Sequence, residues 1–538
     1  MAAQMVSISA SRRDWPIALG FALLTLVTRY AFLCRGGTGD PDSVAIAAGL
    51  AQWVGSHGNF GDAFLYGRQV NPGVYFLFKF IYPIFYHDSS HVIGFLNAFN
   101  LVCASLLGAV LYFAARKLFD RRVASGFCLI VLSSPLVWEI ETYFHPTVPA
   151  ALFLFLSYLA WGRTKATPSG VGFYILACVL FAAALIVRID VIFIIPALIA
   201  GALVSSTGRM KKALFFGILL VAAICYAAVL KSVPRQTAPA ESASVHVGLP
   251  RYVWERIVEY VSWARPAAIA RTSVWASFGI GVATCLLGLY AIASVLIRRA
   301  RPSVGLPAGR LPSVNGRALL VAVIWMLPSL LYWLPVPVSI VRHYFFVTLG
   351  ASWLVGEMVL RDAPARRMAS LVGAIVVLNL VVPEIVYGSY NARHPGSTKY
   401  PNGSFFLGHR AIEQRISRYQ SLQTKFLAAL RGKEGPRGVF IAGNWETYGY
   451  VNYAMAQAGR FERPPTLAVE QGVATRTYWI DGREIRLALV NWYTDSPALR
   501  ALYEDVAQAE NDGFAVFVPV EITRLGVSRD LPNSLVSY

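Results

Sequence analysis

Four short constellations in this chain combine charge with the turn or helix-end signals that would hold it in place. Gly39-Asp40-Pro41-Asp42-Ser43 sets two carboxylates just before a run of helical character, Val44-Ala45-Ile46-Ala47-Ala48-Gly49-Leu50. Such carboxylates can cap the free N–H groups of a helix lying along a membrane surface. They can also hold a cation together, or one can serve as a general base at the rim of a cavity. Glu139, Glu141 and His145-Pro146 follow Ser134-Pro135-Leu136, as helix-end polar groups or as part of a site. Arg188-Ile189-Asp190 precedes an apolar run that ends at Pro196. An ionised pair at that depth either neutralises itself across a tight hairpin or has a function. Last comes Val341-Arg342-His343-Tyr344-Phe345-Phe346, at the start of an apolar segment. Its Arg is suited to phosphate recognition or to snorkelling toward lipid headgroups.

The elements that must position these groups are dictated by composition. Of 538 residues, 56% are hydrophobic and 14% charged, with mean hydropathy +0.52. A water-soluble fold of that composition is excluded, and lipid is the natural solvent. A helical span needs roughly 17 to 25 apolar residues, and about eleven candidates precede residue 388. They run approximately over 15–33, 91–115, 123–138, 146–162, 171–187, 191–207, 213–230, 274–297, 318–336, 343–360 and 368–387. A helix bundle follows, because helices satisfy their own backbone groups in hydrocarbon.

The formal charge of +19, from 48 basic and 29 acidic residues, would suggest nucleic acid in a soluble domain. Here it sorts by topology instead. With the N-terminus cytoplasmic, Arg116, Lys117, Arg121 and Arg122, then Arg163 and Lys165, Arg209, Lys211 and Lys212, Arg298 to Arg301, and Arg361, Arg366 and Arg367 all fall on one side. The positive-inside rule and the helix count agree, and nucleic-acid binding is not expected. The outer side then holds residues 34–90, 231–273 and the tail, with turns near Glu139, Arg188 and Arg342. All eight histidines fall there too. The six cysteines lie in or beside apolar segments without metal-ligand spacing, which implies neither a disulfide framework nor a zinc site.

Two domains are expected, a transmembrane domain over 1–387 and a soluble α/β domain over 388–538. In the tail, Gly432 to Gly438 is a polar linker, and strands are expected at Gly438–Gly443, Ile485–Trp492 and Phe514–Pro519. Helices are expected at Tyr448–Gly459 and Pro497–Glu510. No GxGxxG or P-loop supports a nucleotide site.

The acidic pair beyond the first helix resembles the signature of the type C glycosyltransferases, integral membrane enzymes that use polyprenyl-phosphate-linked sugars and include protein mannosyltransferases and aminoarabinose transferases. Asn71-Pro72-Gly73-Val74-Tyr75-Phe76-Leu77 is similar to that family's "PPLYY"-type segment. It departs from it in Asn71, where Lys is frequent, and in Gly73 for the second Pro, which leaves Arg68 and Lys79 as the nearest cations. The Glu139–His145 block, Arg188-Ile189-Asp190 and Arg342-His343-Tyr344 resemble later blocks of the same family. The resemblance implies a mainly α transmembrane bundle with interfacial helices in the first outer loop and a small extracytoplasmic α/β domain. It implies inverting transfer of a sugar from a polyprenyl-phosphate donor to a glycan, lipid or protein acceptor on the outer face of a membrane, bacterial inner membrane being the expected location.

In that chemistry Asp42, or Asp40, deprotonates the acceptor hydroxyl. Arg342 and Arg188 stabilise the departing phosphate, with His343 and Tyr344 secondary and a divalent cation as the alternative. Glu141, His145, Asn71, Arg68 and Lys79 complete the candidates. A lipid-linked glycan flippase or a glycan polymerase or ligase is the competing function. A flippase would need charge distributed through the bundle, and polymerases and ligases usually lack an acidic pair after the first helix.

Overall fold

Runs this apolar can satisfy their backbone away from water only as helices or closed barrels, and helices make up the first of two units. The computed structural model describes residues 12–39, 41–56, 72–163, 170–188, 191, 265–300, 325–331, 341–393, 406–431, 437–443, 445–458, 466–470, 473–490, 496–519 and 536–537. One unit comprises Met1–Leu33, Ala98–Tyr226 and Val253–Ala411; the other comprises Cys34–Asn97, Ala227–Tyr252 and Ile412–Tyr538.

The first unit contains α1 (Asp14–Ala31), then α2 (Pro41–Ser56) and α3 (Pro72–Phe85) intervene in the second unit before α4 (Val92–Arg116). It continues with α5 (Arg121–Leu132), α6 (Pro135–Glu141), α7 (Thr147–Arg163), α8 (Gly170–Val187), α9 (Pro266–Ile280), α10 (Val282–Ala300), α11 (Phe345–Val355) and α12 (Ala365–Arg393). Among the described residues, Val92–Arg116 and Ala365–Tyr390 are each long and apolar enough to cross a membrane, and the number rises to as many as four if each of two bent helix pairs is one broken span rather than a re-entrant loop. The expected spans at 191–207 and 213–230, and most of 318–336, lie outside the described residues.

The bent pairs correct two spans read as continuous. At 123–138 the helix breaks between α5 and α6 by 69°. Ser134 is extended (φ −65°, ψ 125°) because Pro135 opens the next helix, and a residue before proline is pushed out of the helical region. At 274–297 the break between α9 and α10 reaches 107°. There Gly281 takes φ +111°, and a Cβ would meet the Asn379 side chain at 2.5 Å, so only glycine fits. The two breaks share buried polar contacts: Ser134 Oγ donates to Gly279 O at 2.8 Å, and Asn379 Nδ2 to Thr284 Oγ1 at 3.0 Å and Ser133 Oγ at 3.4 Å. At the start of α1, buried Asp14 accepts from Arg116 Nε and Arg121 Nε at 3.1 Å each and from Tyr112 OH at 3.0 Å.

The second unit is built on a six-stranded mixed sheet. Its strands are β1 (Gly438–Gly443), β2 (Thr466–Glu470), β3 (Val473–Ile480), β4 (Arg483–Leu489), β5 (Phe514–Val518) and β6 (Val536–Ser537), in the order β2-β3-β4-β1-β5-β6. β1 lies parallel to β4 and β5, while β2, β3 and β4 run antiparallel. The β3–β4 hairpin turns on Asp481-Gly482, both at positive φ, as a two-residue primed turn requires. Side chains alternate along β1, so each face of the sheet has its own core. Val439 and Ile441 pack with Tyr419, Leu422 and Phe426 of α13 (Phe406–Arg431) and with Val451 and Met455 of α14 (Trp445–Ala458). Phe440 and Ala442 pack with Leu502 and Val506 of α15 (Ser496–Asn511). Beneath the first face, buried Arg476 donates to Tyr448 OH at 2.6 Å. Burial pushes the neighbouring Tyr478 phenol far up, which keeps it protonated. The apolar run after the acidic pair forms α2, whose residues Ser43 to Gln52 are buried. It packs along α14, with Val44 in the same core as Val439 and Ile441.

Candidate active site

Arg188 sits at the C-terminal end of α8, where its N–H continues the helix by bonding Ala184 O at 3.0 Å. A helix end is a natural place for a cation, since the last carbonyls are unsatisfied. The side chain is almost fully buried. Its Nη2 lies 3.4 Å from Nδ1 of His343, 155 residues further along. A guanidinium only donates, so Nδ1 accepts and the ring proton sits on Nε2. His343 belongs to a 3-10 turn, Val341–Tyr344, that feeds α11. Its carbonyl accepts from Ser329 Oγ at 3.4 Å, and the adjacent Tyr344 is buried. Two expected phosphate-side residues, from separate blocks, therefore meet. Arg342 occupies the second position of that turn, and Asp190 lies outside the described residues.

The α6–α7 turn forms a second buried cluster. Glu141 ends α6 and pairs with Arg29, in the last turn of α1, at 2.6 Å between Oε2 and Nε. Both side chains are shielded from solvent. Arg29 Nη2 also donates to Leu132 O at 2.8 Å, and its guanidinium carbon stands 3.8 Å from the Trp138 ring centroid. Glu141 Oε1 has no hydrogen-bond partner among the described residues. Asn100 of α4 pins the same turn: its Nδ2 donates to Ile140 O at 2.9 Å and Tyr143 O at 2.6 Å, and its Oδ1 accepts from His145 N at 3.3 Å. The buried His145 ring uses Nδ1 to accept from Thr147 N at 3.3 Å, capping α7. Glu141 and His145 thus share one turn, each already engaged. Nearby, Tyr143 OH donates to Glu139 Oε1 at 3.3 Å.

In the second unit, Asp42 falls on the first turn of α2, and Lys79 lies partly buried on α3. Asp40, Arg68 and Asn71 lie outside the described residues. Among the described residues, no three His, Cys, Asp or Glu gather as a cation site. Sequence reasoning passed over Arg29, Asn100 and Asn379. Each is a polar residue inside an apolar span, which is the signal that would have found it.

Residues 69–231 match the family model described as dolichyl-phosphate-mannose-protein mannosyltransferase. That stretch runs from before α3 to beyond α8 and contains Asn71, Lys79, Glu141, His145 and Arg188. The match bears out the resemblance to the type C membrane glycosyltransferases. Two solved structures are similar. The archaeal oligosaccharyltransferase AglB from Archaeoglobus fulgidus, in complex with an inhibitory peptide and a dolichol-phosphate, is 12% identical, covering 83% of this chain and 64% of that one, with TM-score 0.46. The Archaeoglobus fulgidus oligosaccharyltransferase in complex with Zn and sulfate is 14% identical, covering 82% and 61%, with TM-score 0.41. The chain thus spans less than two thirds of the length of either structure. No curated protein matches the chain.

Proposed function

We propose that this chain is a membrane glycosyltransferase of type C that moves a sugar from a polyprenyl-phosphate donor to an acceptor on the outer face of a bacterial inner membrane. The observation that carries the reading is the meeting of Arg188 and His343, because a buried guanidinium against an imidazole whose other nitrogen, Nε2, carries the proton suits a phosphate leaving group. The family match, which includes Arg188, supports the same chemistry.

In this reading Asp42, with Asp40 as its alternate, takes the proton of the acceptor hydroxyl. The oxygen attacks the anomeric carbon, and the bond from that carbon to the phosphate oxygen breaks. Polyprenyl phosphate leaves with the electron pair. The chain's work is orientation and charge stabilisation, because lipid phosphate is already a good leaving group. Arg188 and Arg342 hold the phosphate oxygens, His343 donates from Nε2, and Tyr344 packs behind them. A cation held by the acidic pair would share the neutralisation. The acceptor is a glycan, a lipid or a protein.

The test is incubation of the purified protein with a radiolabelled polyprenyl-phosphate sugar and membrane extract as acceptor. Release of free polyprenyl phosphate with label in the acceptor is the expected result. Arg188→Ala should lower turnover by the equivalent of roughly 2–5 kcal/mol, the cost of removing one partner of a desolvated charge-assisted contact. Intact donor carried across a vesicle membrane without cleavage would make the protein a transporter instead.

A further inference from the structure

The segment Cys34-Arg35-Gly36-Gly37-Thr38-Gly39 leads directly into Asp40, and side chains of three helices capture five of its carbonyl oxygens. Asn97 Nδ2, on α4, donates to Cys34 O and Gly37 O at 2.8 Å each. From α13, Gln420 Nε2 donates to Gly36 O at 3.0 Å and Arg415 Nη2 to Gly39 O at 2.7 Å. Tyr450 OH, on α14, donates to Thr38 O at 2.8 Å. Loop carbonyls ordinarily turn to water and tolerate movement. Here the donors are specific, and Arg415, Tyr450 and Asn97 are buried.

The composition of the segment matches that role. Gly36 has φ +75°, and a Cβ on Gly37 would stand 2.6 Å from the Ile416 side chain, so larger residues would hold α13 away. The Tyr450 ring stacks on Tyr419 with centroids 4.3 Å apart and planes 9° apart, which fixes the direction of its hydroxyl. The Arg415 bond is charge-assisted and is made to the carbonyl that immediately precedes Asp40, so it exerts the strongest hold at the most sensitive place.

We propose that Arg415, Gln420, Tyr450 and Asn97 are positioning residues that fix the path of Cys34–Gly39 and, through it, the Asp40–Asp42 carboxylates. The tail helices α13 and α14 are on this account working parts of the transferase. The proposal rests on the reading of the acidic pair as the catalytic base.

The test uses the full-length protein, with Arg415→Ala, Arg415→Lys, Tyr450→Phe and, as a control on the exposed side of α13, Thr424→Ala. Arg415→Ala should lower kcat on the order of 10²-fold, the scale of a reacting group displaced by about 1 Å, with the donor KM held within about twofold. Arg415→Lys should recover part of that loss, and Tyr450→Phe, which removes a single oxygen and keeps the ring stack, should cost roughly three- to tenfold. Hydrogen exchange of the backbone amides of 38–44 should quicken in the Ala and Phe variants at an unchanged thermal midpoint, and Thr424→Ala should match wild type in every readout. The proposal is overturned if Tyr450→Phe and Arg415→Ala keep full kcat, or if Lys is no better than Ala and the loss follows the fraction unfolded. Should Asp42→Asn abolish transfer while the clamp variants stay active, the base assignment stands and the positioning role is lost. If the Asp40→Asn/Asp42→Asn double variant is fully active, the base assignment itself is wrong.

Discussion

Arg29 and Glu141 are 112 residues apart in the chain and 2.6 Å apart in the fold, with almost no water at either. Removing two charges from water is offset only when geometry and further hydrogen bonds are good. The Leu132 carbonyl and the Trp138 face supply those contacts for Arg29. Arg29→Ala should therefore lower stability by ~3–5 kcal/mol, since Glu141 is left buried without its cation, and an Arg29→Met/Glu141→Leu double variant should regain most of that. Unfolding followed in detergent decides it: a single-variant loss below ~1 kcal/mol would mean the pair is not a structural tie. Glu141 was legible from the sequence as a candidate and Arg29 was not, although an arginine inside the apolar span 15–33 is conspicuous. Hydropathy reveals a charge at membrane depth, but a partner so far along the chain is set by packing. Arg188 and His343 became candidates through the family resemblance; their contact, 155 residues apart, required the fold.

At the level of elements, the hydropathy-delimited segments that fall among the described residues are helical, and what hydropathy misses is direction. Windows over 123–138 and 274–297 average apolar, yet Ser134-Pro135 turns one segment by 69° and Gly281 the other by 107°. A single residue's φ carries that information. Gly281→Ala should lower stability by ~1–3 kcal/mol through backbone strain alone, with the clash against Asn379 added. Asn379→Ala in the same background should relieve the clash and leave the strain, and comparison of thermal midpoints separates the two terms. If Gly281→Ala melts with wild type, the bend is not held by that residue. In the tail, β1, β4 and β5 were readable from short buried runs, and α14 and α15 from helical patterns. β2 and β3 were not, because Thr475, Arg476 and Thr477 interrupt the apolar alternation of β3. α13 was missed because its face toward the sheet is narrow and the rest is polar.

For the molecule as a whole, the expected topology follows from basic residues that cluster in alternate loops. A periplasm-dependent reporter fused after Tyr538 should be active and a cytoplasm-dependent one silent. The opposite pattern would move the acidic pair, Arg188 and Arg342 to the cytoplasmic side, where nucleotide sugars are the natural donors.

The clamp on Cys34–Gly39 also sets an order of events during synthesis. Gly39 leaves the ribosome 376 residues before Arg415, which at roughly 5–20 residues per second is a gap on the order of 20–75 s. Asn97 follows Gly37 by only 60 residues and can take up the Cys34 and Gly37 carbonyls early, but those of Gly36, Thr38 and Gly39 wait for Gln420, Tyr450 and Arg415. On the positioning proposal, the path into the acidic pair is therefore completed only once Arg415, Gln420 and Tyr450 have been made, and a nascent chain halted before them should be inactive in transfer. In pulse-labelled cells, protease access to the segment should close only after residue 450 has emerged; closure on chains halted before residue 412 would contradict this order.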